Sequence, residues 1–209
     1  MRNELKFLND IAKPWDELNC LLIERKAFQP DLSSVTTKVE AISTAIKHQV
    51  DVHALATGCP PRKLQTEVNA ESLAARLVSD VSDTAKHVVL STPARQTSIF
   101  VAAMFEVNAE GNFCFLRNGV FIEHATLGRH DFMQTSLAAI EYWSKKRRLD
   151  IAWRGSVQEA NAEFFPTAFL YFDQNYCINM TSAQLQCFRR DASGVLQPFD
   201  PVEVRFELR

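Results

Sequence analysis

The stretch from Ser98 to Gly128, SIFVAAMFEVNAEGNFCFLRNGVFIEHATLG, decides the fold. Ile99 to Val107 is apolar on both alternating faces, which predicts a central strand buried on two sides. Asn108 to Asn112 reads as a turn. Phe113–Arg117 and Val120–Leu127 then flank Asn118-Gly119, the residue pair that best supplies the two positive-φ positions of a type I′ turn. The spacing predicts a hairpin, with residue 117 opposite 120, 116 opposite 121, 115 opposite 122 and 114 opposite 123.

Upstream of this stretch the periodicity is helical. Pro14 suits a first helical turn, and Trp15, Leu18, Leu21, Leu22 and Arg25 follow at helical spacing. A second helix is expected to start between Asp31 and Ser34, with Val35, Val39, Ile42 and Ile46 on one face. Gly58, followed by Pro60 and Pro61, should end that region. A third helix is expected after Asn69, with Leu73, Leu77, Val78 and Val81 facing a core. Pro93 argues against helix between 87 and 97.

Downstream, Asp131 with Gln134 three residues on resembles a capping box, so a helix is expected over about 131–148. Short strands are expected at 149–153, 167–173, 176–180, 184–190 and 202–208, with a polar segment over 156–163. In the last strand, Val202, Val204, Phe206 and Leu208 alternate with charged residues, which predicts one face on a core. Only two of the fifteen phenylalanines, Phe7 and Phe28, precede residue 98, so the sheet carries the aromatic load. The fold class expected is α+β: N-terminal helices over 1–97, then a curved, mainly antiparallel sheet over 98–209 with one long helix packed on it, as two regions or one continuous domain.

Composition removes several functions. Six isolated glycines allow neither a dinucleotide-binding G-x-G-x-x-G nor a phosphate-binding P-loop. Five cysteines form no C-x-x-C pair, so a disulfide framework or a structural zinc site is not expected. No metal and no cofactor is expected. The net charge of −2 supplies no field that would gather nucleic acid. Apolar runs are too short to span a membrane, and the N-terminus lacks the apolar stretch of a secretory signal. The reducing cytoplasm is the expected compartment.

Three clusters could carry function. Glu123, His124 and His130 group titratable side chains near the 123–131 turn, where a histidine could serve as a general base of a small-substrate enzyme. The hairpin register opposes this, because adjacent strand residues point to opposite faces; it puts Glu123 near Cys114 and His124 near Phe113. Lys145, Lys146, Arg147 and Arg148 form the one concentrated positive run, suited to phosphate contacts in a nucleic-acid-binding protein, but also to the C-terminus of a helix. Phe169, Tyr171 and Tyr176 belong to an aromatic-rich stretch that could face an apolar ligand or a protein partner. The leading expectation is a non-catalytic binding or protein-interaction module using an aromatic sheet face or an apolar pocket. A protein segment, a small apolar ligand or a second copy in a homodimer would be its partner. The enzyme and nucleic-acid readings stand as alternatives.

Overall fold

A computed structural model describes residues 2–24, 33–87, 89–170 and 184–208. The fold is α+β. Its helices are α1 (Arg2–Phe7), α2 (Lys13–Leu22), α3 (Ser33–Lys47), α4 (Gln49–Thr57), α5 (Pro61–Glu71), α6 (Leu73–His87) and α7 (Phe132–Lys146). The strands are β1 (Thr97–Val107), β2 (Phe113–His124), β3 (Gly128–Asp131), β4 (Ala168–Leu170), β5 (Leu185–Arg190), β6 (Leu196–Pro198) and β7 (Phe206–Leu208). Five strands form a curled, mixed, mainly antiparallel sheet in the order β3-β2-β1-β5-β6. The β1–β5 pair is parallel, and β4 and β7 form a separate parallel pair.

The helical periodicities act as the sequence predicts. Val35, Val39, Ile42 and Ile46 of α3 are all buried, as are Leu77, Val78 and Val81 of α6. Leu73 instead lies half-exposed in the first turn of α6, beyond the apolar stripe. Gly58 closes α4 at φ 71, its N–H bonded to Ala54 O at 2.8 Å, the left-handed cap that glycine adopts without strain. The Asp131 side chain accepts the Gln134 N–H at 3.0 Å and caps α7.

Several expectations are corrected. Pro14 does sit in the first turn of α2, as expected, but α2 continues a helical run that begins at Arg2 and passes through a π turn over Leu8–Ala12. Proline has no N–H and crowds the carbonyl four residues back. The π turn, in which the Lys13 N–H reaches Leu8 O, lets the run pass that obstruction. Pro60 and Pro61 do not merely end a helix, because Pro61 opens α5, and Asn69 lies inside it. Residues 149–153 form no strand. Residues 202–205 also lie outside any strand; the Ala168 N–H donates to Arg205 O at 2.7 Å, but Val202 and Val204 are exposed, so the alternation does not turn these two toward a core. The strand expected at 176–180 and the end of the one at 167–173 lie outside the described residues.

The largest correction concerns Asn118-Gly119. There is no turn at this pair: β2 runs unbroken from Phe113 to His124 and is buried along nearly its whole length. Gly119 is not among the positive-φ glycines. The Asn118 amide instead donates to Leu22 O at 3.3 Å and Glu24 O at 2.8 Å, satisfying carbonyls at the end of α2. A turn there would expose apolar neighbours on both sides, which outweighs a local turn preference. The real hairpin is β2–β3, with Phe121 opposite Asp131, Ile122 opposite His130, Glu123 opposite Arg129 and His124 opposite Gly128. The predicted pairs 117/120 to 114/123 do not exist.

The chain divides into two compact units. The first comprises Met1–Leu18, Val35–Phe100 and Phe121–Val157. In its core, Trp15 Nε1 donates to Ser136 Oγ at 2.8 Å, and the Trp153 ring meets Trp15 edge-on at 5.7 Å. The second comprises Asn19–Ser34, Val101–Val120 and Gln158–Arg209. Its core gathers Ala103, Phe105, Val107, Phe113, Phe115 and Ala168, with Phe105 edge-on to Phe115 at 5.6 Å. Much of the aromatic load therefore packs as core. Among the described residues no helix is long and apolar enough to cross a membrane.

Candidate functional site

The most buried polar cluster joins α6 to the end of β2. Asp80 and His124 both have fully buried side chains, and His124 Nε2 lies 3.1 Å from Asp80 Oδ2. The N–H groups of Thr126 and Leu127 each donate to His124 Nδ1 at 3.2 Å. That nitrogen therefore carries no proton, and the ring proton sits on Nε2, directed at Asp80. On the other side of Asp80, Arg95 Nε donates to Oδ1 at 2.7 Å, while Arg95 Nη2 reaches Asp83 Oδ2 at 2.6 Å. Lys47 pairs with Asp83 in turn. Burial pushes the Asp83 carboxyl up, but hydrogen bonds and charge from Lys47 and Arg95 outweigh it and hold the group below its ordinary value.

This arrangement positions structure. Both ring nitrogens of His124 are occupied by protein partners, and no ring atom faces solvent. The imidazole caps the Ala125–Leu127 turn and ties it to α6. Glu123 points away and pairs with Arg129, whose guanidinium lies 4.7 Å from the Phe100 ring centroid. His130 Nε2 lies 3.0 Å from Leu127 O, within the same hairpin. The three residues singled out near this turn thus go to three separate environments. Sequence reasoning missed Asp80, 44 residues from its partner; its one signal was a carboxylate on the predicted apolar face of α6.

The basic run is dispersed in the same way. Lys146 binds Glu71 Oε2 at 2.6 Å, beside the Tyr142 hydroxyl, which donates to the same oxygen. These hydrogen bonds hold the Glu71 carboxyl below its ordinary value. Arg147 is half-buried and donates to Gln49. Lys145 and Arg148 are exposed, and Arg148 adopts φ 53 as the chain leaves α7. Burial, then the charges of Lys146 and Arg147, pull the His53 pKa down. In the second unit Phe169 meets Phe165 edge-on at 5.3 Å and is half-buried. Tyr171 and Tyr176 lie outside the described residues.

The first unit carries a groove of about 770 Å³ among α1, α3, α4 and α6. Thr37, Ala41, Thr44 and Ala45 of α3 line it together with Val52 of α4 and Ala85 of α6. Lys6, Asp10, Glu40, Asp51 and Lys86 stand around the rim. Leu55, also lining the groove, is 87% exposed. Small side chains on α3 leave the helix backbone open to close approach, which is why a depression exists here. No group of three or more His, Cys, Asp or Glu side chains converges as metal ligands among the described residues. Comparison with protein families, curated proteins and solved structures finds no match to this chain.

Proposed function

We propose that this protein is a non-catalytic binding module whose site is the groove among α1, α3, α4 and α6. The observation that carries the reading is the groove itself: its volume of about 770 Å³ lies within the range of ligand sites, and the α3 residues that line it, Thr37, Ala41, Thr44 and Ala45, are small. The solvent-facing Leu55 adds an apolar side chain to this lining. A large apolar side chain left in solvent on the exposed side of α4 is suited to an external partner. The committed positions of His124, Lys146 and Arg147 support the same reading, since each is spent on intramolecular partners. We place its work in the reducing cytoplasm, a reading supported by the odd cysteine count.

The test is binding of a neutral apolar dye, Nile red, to the whole chain. Ala41 is exposed and lines the groove, so Ala41→Trp fills the groove without entering the core. Saturable dye fluorescence in the wild type, lost in Ala41→Trp at unchanged circular dichroism, is the expected outcome. Equal dye binding by both proteins would refute the site.

A further inference from the structure

Resting on that reading, we infer that the groove receives an amphipathic helix of a protein partner, with basic residues of that helix set against α3 and α4. Thr37, Ala41 and Thr44 recur at four- and three-residue steps along α3, so one face of that helix lines the site. At 1.5 Å per residue this face extends for about 10 Å, the length of roughly two helical turns. Two helices pack with their axes 8–10 Å apart, and the separation shrinks where the contact residues are small, as Ala41 and Ala45 are. Leu55 of α4, which also lines the groove, is 87% exposed and leaves an apolar side chain uncovered at its edge. A helix reading through anchors at i, i+3, i+4 and i+7 would cover this exposed side chain together with the small residues of α3.

The rim charges set the partner's chemistry. Lys6 is paired with Asp10. Glu40 on α3 and Asp51 on α4 have no ion pair among the described residues, and neither does Lys86 on α6. The lining from α3 and α4 therefore carries two uncompensated carboxylates, and that from α6 one uncompensated ammonium. A helix with Lys or Arg along one border of its apolar stripe meets both carboxylates; one bordered by Glu or Asp there meets like charge. Rim charges act chiefly on orientation and choice of partner, while apolar contact within the groove supplies most of the affinity.

Fluorescence anisotropy with two labelled probe peptides tests this on the whole chain. Both are amphipathic leucine helices of about fourteen residues, long enough for the groove; one is flanked by lysines, the other by glutamates. The lysine peptide should bind the wild type more tightly and lose affinity as salt rises. Ala41→Trp should abolish binding, and the exposed Leu55→Asp should weaken it without touching the core. Replacing both Glu40→Lys and Asp51→Lys should weaken the lysine peptide about tenfold and reverse the preference, because two exposed attractions become repulsions. Equal affinity for the two peptides, or lysine-peptide binding indifferent to Ala41→Trp, overturns the inference. If Nile red binds and is lost in Ala41→Trp while neither peptide competes with it, the groove remains a binding site and the helix is wrong. If the dye fails as well, both fall. A wild-type dimer that Ala41→Trp converts to monomer would assign the groove to a second copy and overturn the partner helix.

Discussion

Replacing His124 by alanine separates a structural from a catalytic role for the one fully buried histidine. The substitution leaves Asp80 Oδ2 buried without its donor, because Arg95 serves the other carboxylate oxygen. Loss of a charge-assisted buried hydrogen bond costs about 1.5–3 kcal/mol. The N–H groups of Thr126 and Leu127 lose their acceptor too. Thr126 is exposed and Leu127 half-buried, so water replaces much of that loss, leaving about 0.5 kcal/mol for each. With a residual void at the ring position, the total is about 3–5 kcal/mol, a large part of the roughly 5–15 kcal/mol that stabilises a domain. All three tryptophans, Trp15, Trp143 and Trp153, lie in the same unit as His124, so their fluorescence reports its unfolding directly. In urea, with a slope of about 2–3 kcal/mol per molar, the midpoint should fall by roughly 1–2 M. Glu123→Ala, which removes an exposed ion pair, should change stability by about 0.5 kcal/mol or less. A His124→Ala protein within about 1 kcal/mol of wild type would refute the argument that this ring locks the turn to α6.

Other expectations follow from single contacts. A Cβ added at Gly155 would lie 2.5 Å from Trp153 Cη2 and 2.7 Å from Leu137 Cδ1. Trp153 is held by Asp16 at 2.9 Å and by the edge of Trp15, so Gly155→Ala should destabilise the unit by about 1–3 kcal/mol in the same urea titration. Arg148→Gly should raise stability by up to about 1 kcal/mol, because glycine takes φ 53 without a Cβ clash; a lower melting temperature would contradict this. Asp83 has a depressed folded pKa, so its stabilising contribution is complete above the unfolded carboxylate's value of about 3.9 and is lost as pH falls through that value toward the lower folded one. Asp83→Asn should accordingly flatten the acid limb of a melting-temperature profile between about pH 5 and 2; an unchanged limb would exclude Asp83 as its source.

The legible part of the sequence was the part governed by near neighbours. The apolar steps of α3 and α6, the Asp131 cap with Gln134, the Gly58 terminus and the two-sided burial of β1 all depend on residues a few positions apart. Helix hydrogen bonds span four residues and strand faces alternate every two, so a one-dimensional pattern contains that information. The candidate site was less legible. The spacing of Thr37, Ala41 and Thr44 marks a face of small residues on α3, but whether another element fills such a face depends on where α4 and α6 pack.

Tertiary structure decided what lay beyond that range. Asn118-Gly119 has the chemistry of a turn, yet its flanks are buried on both sides and the Asn118 amide meets Leu22 and Glu24 carbonyls more than ninety residues away. The balance between a local preference and distant burial is struck only once the distant partners are present. The parallel β1–β5 pair and the Asp80–His124 contact are likewise long-range choices, made by which surfaces can be buried and which polar atoms satisfied together. The sequence by itself therefore set the elements and the α+β class. Tertiary packing set where β2 turns, which carboxylate receives His124, and that a face of α3 lines a groove.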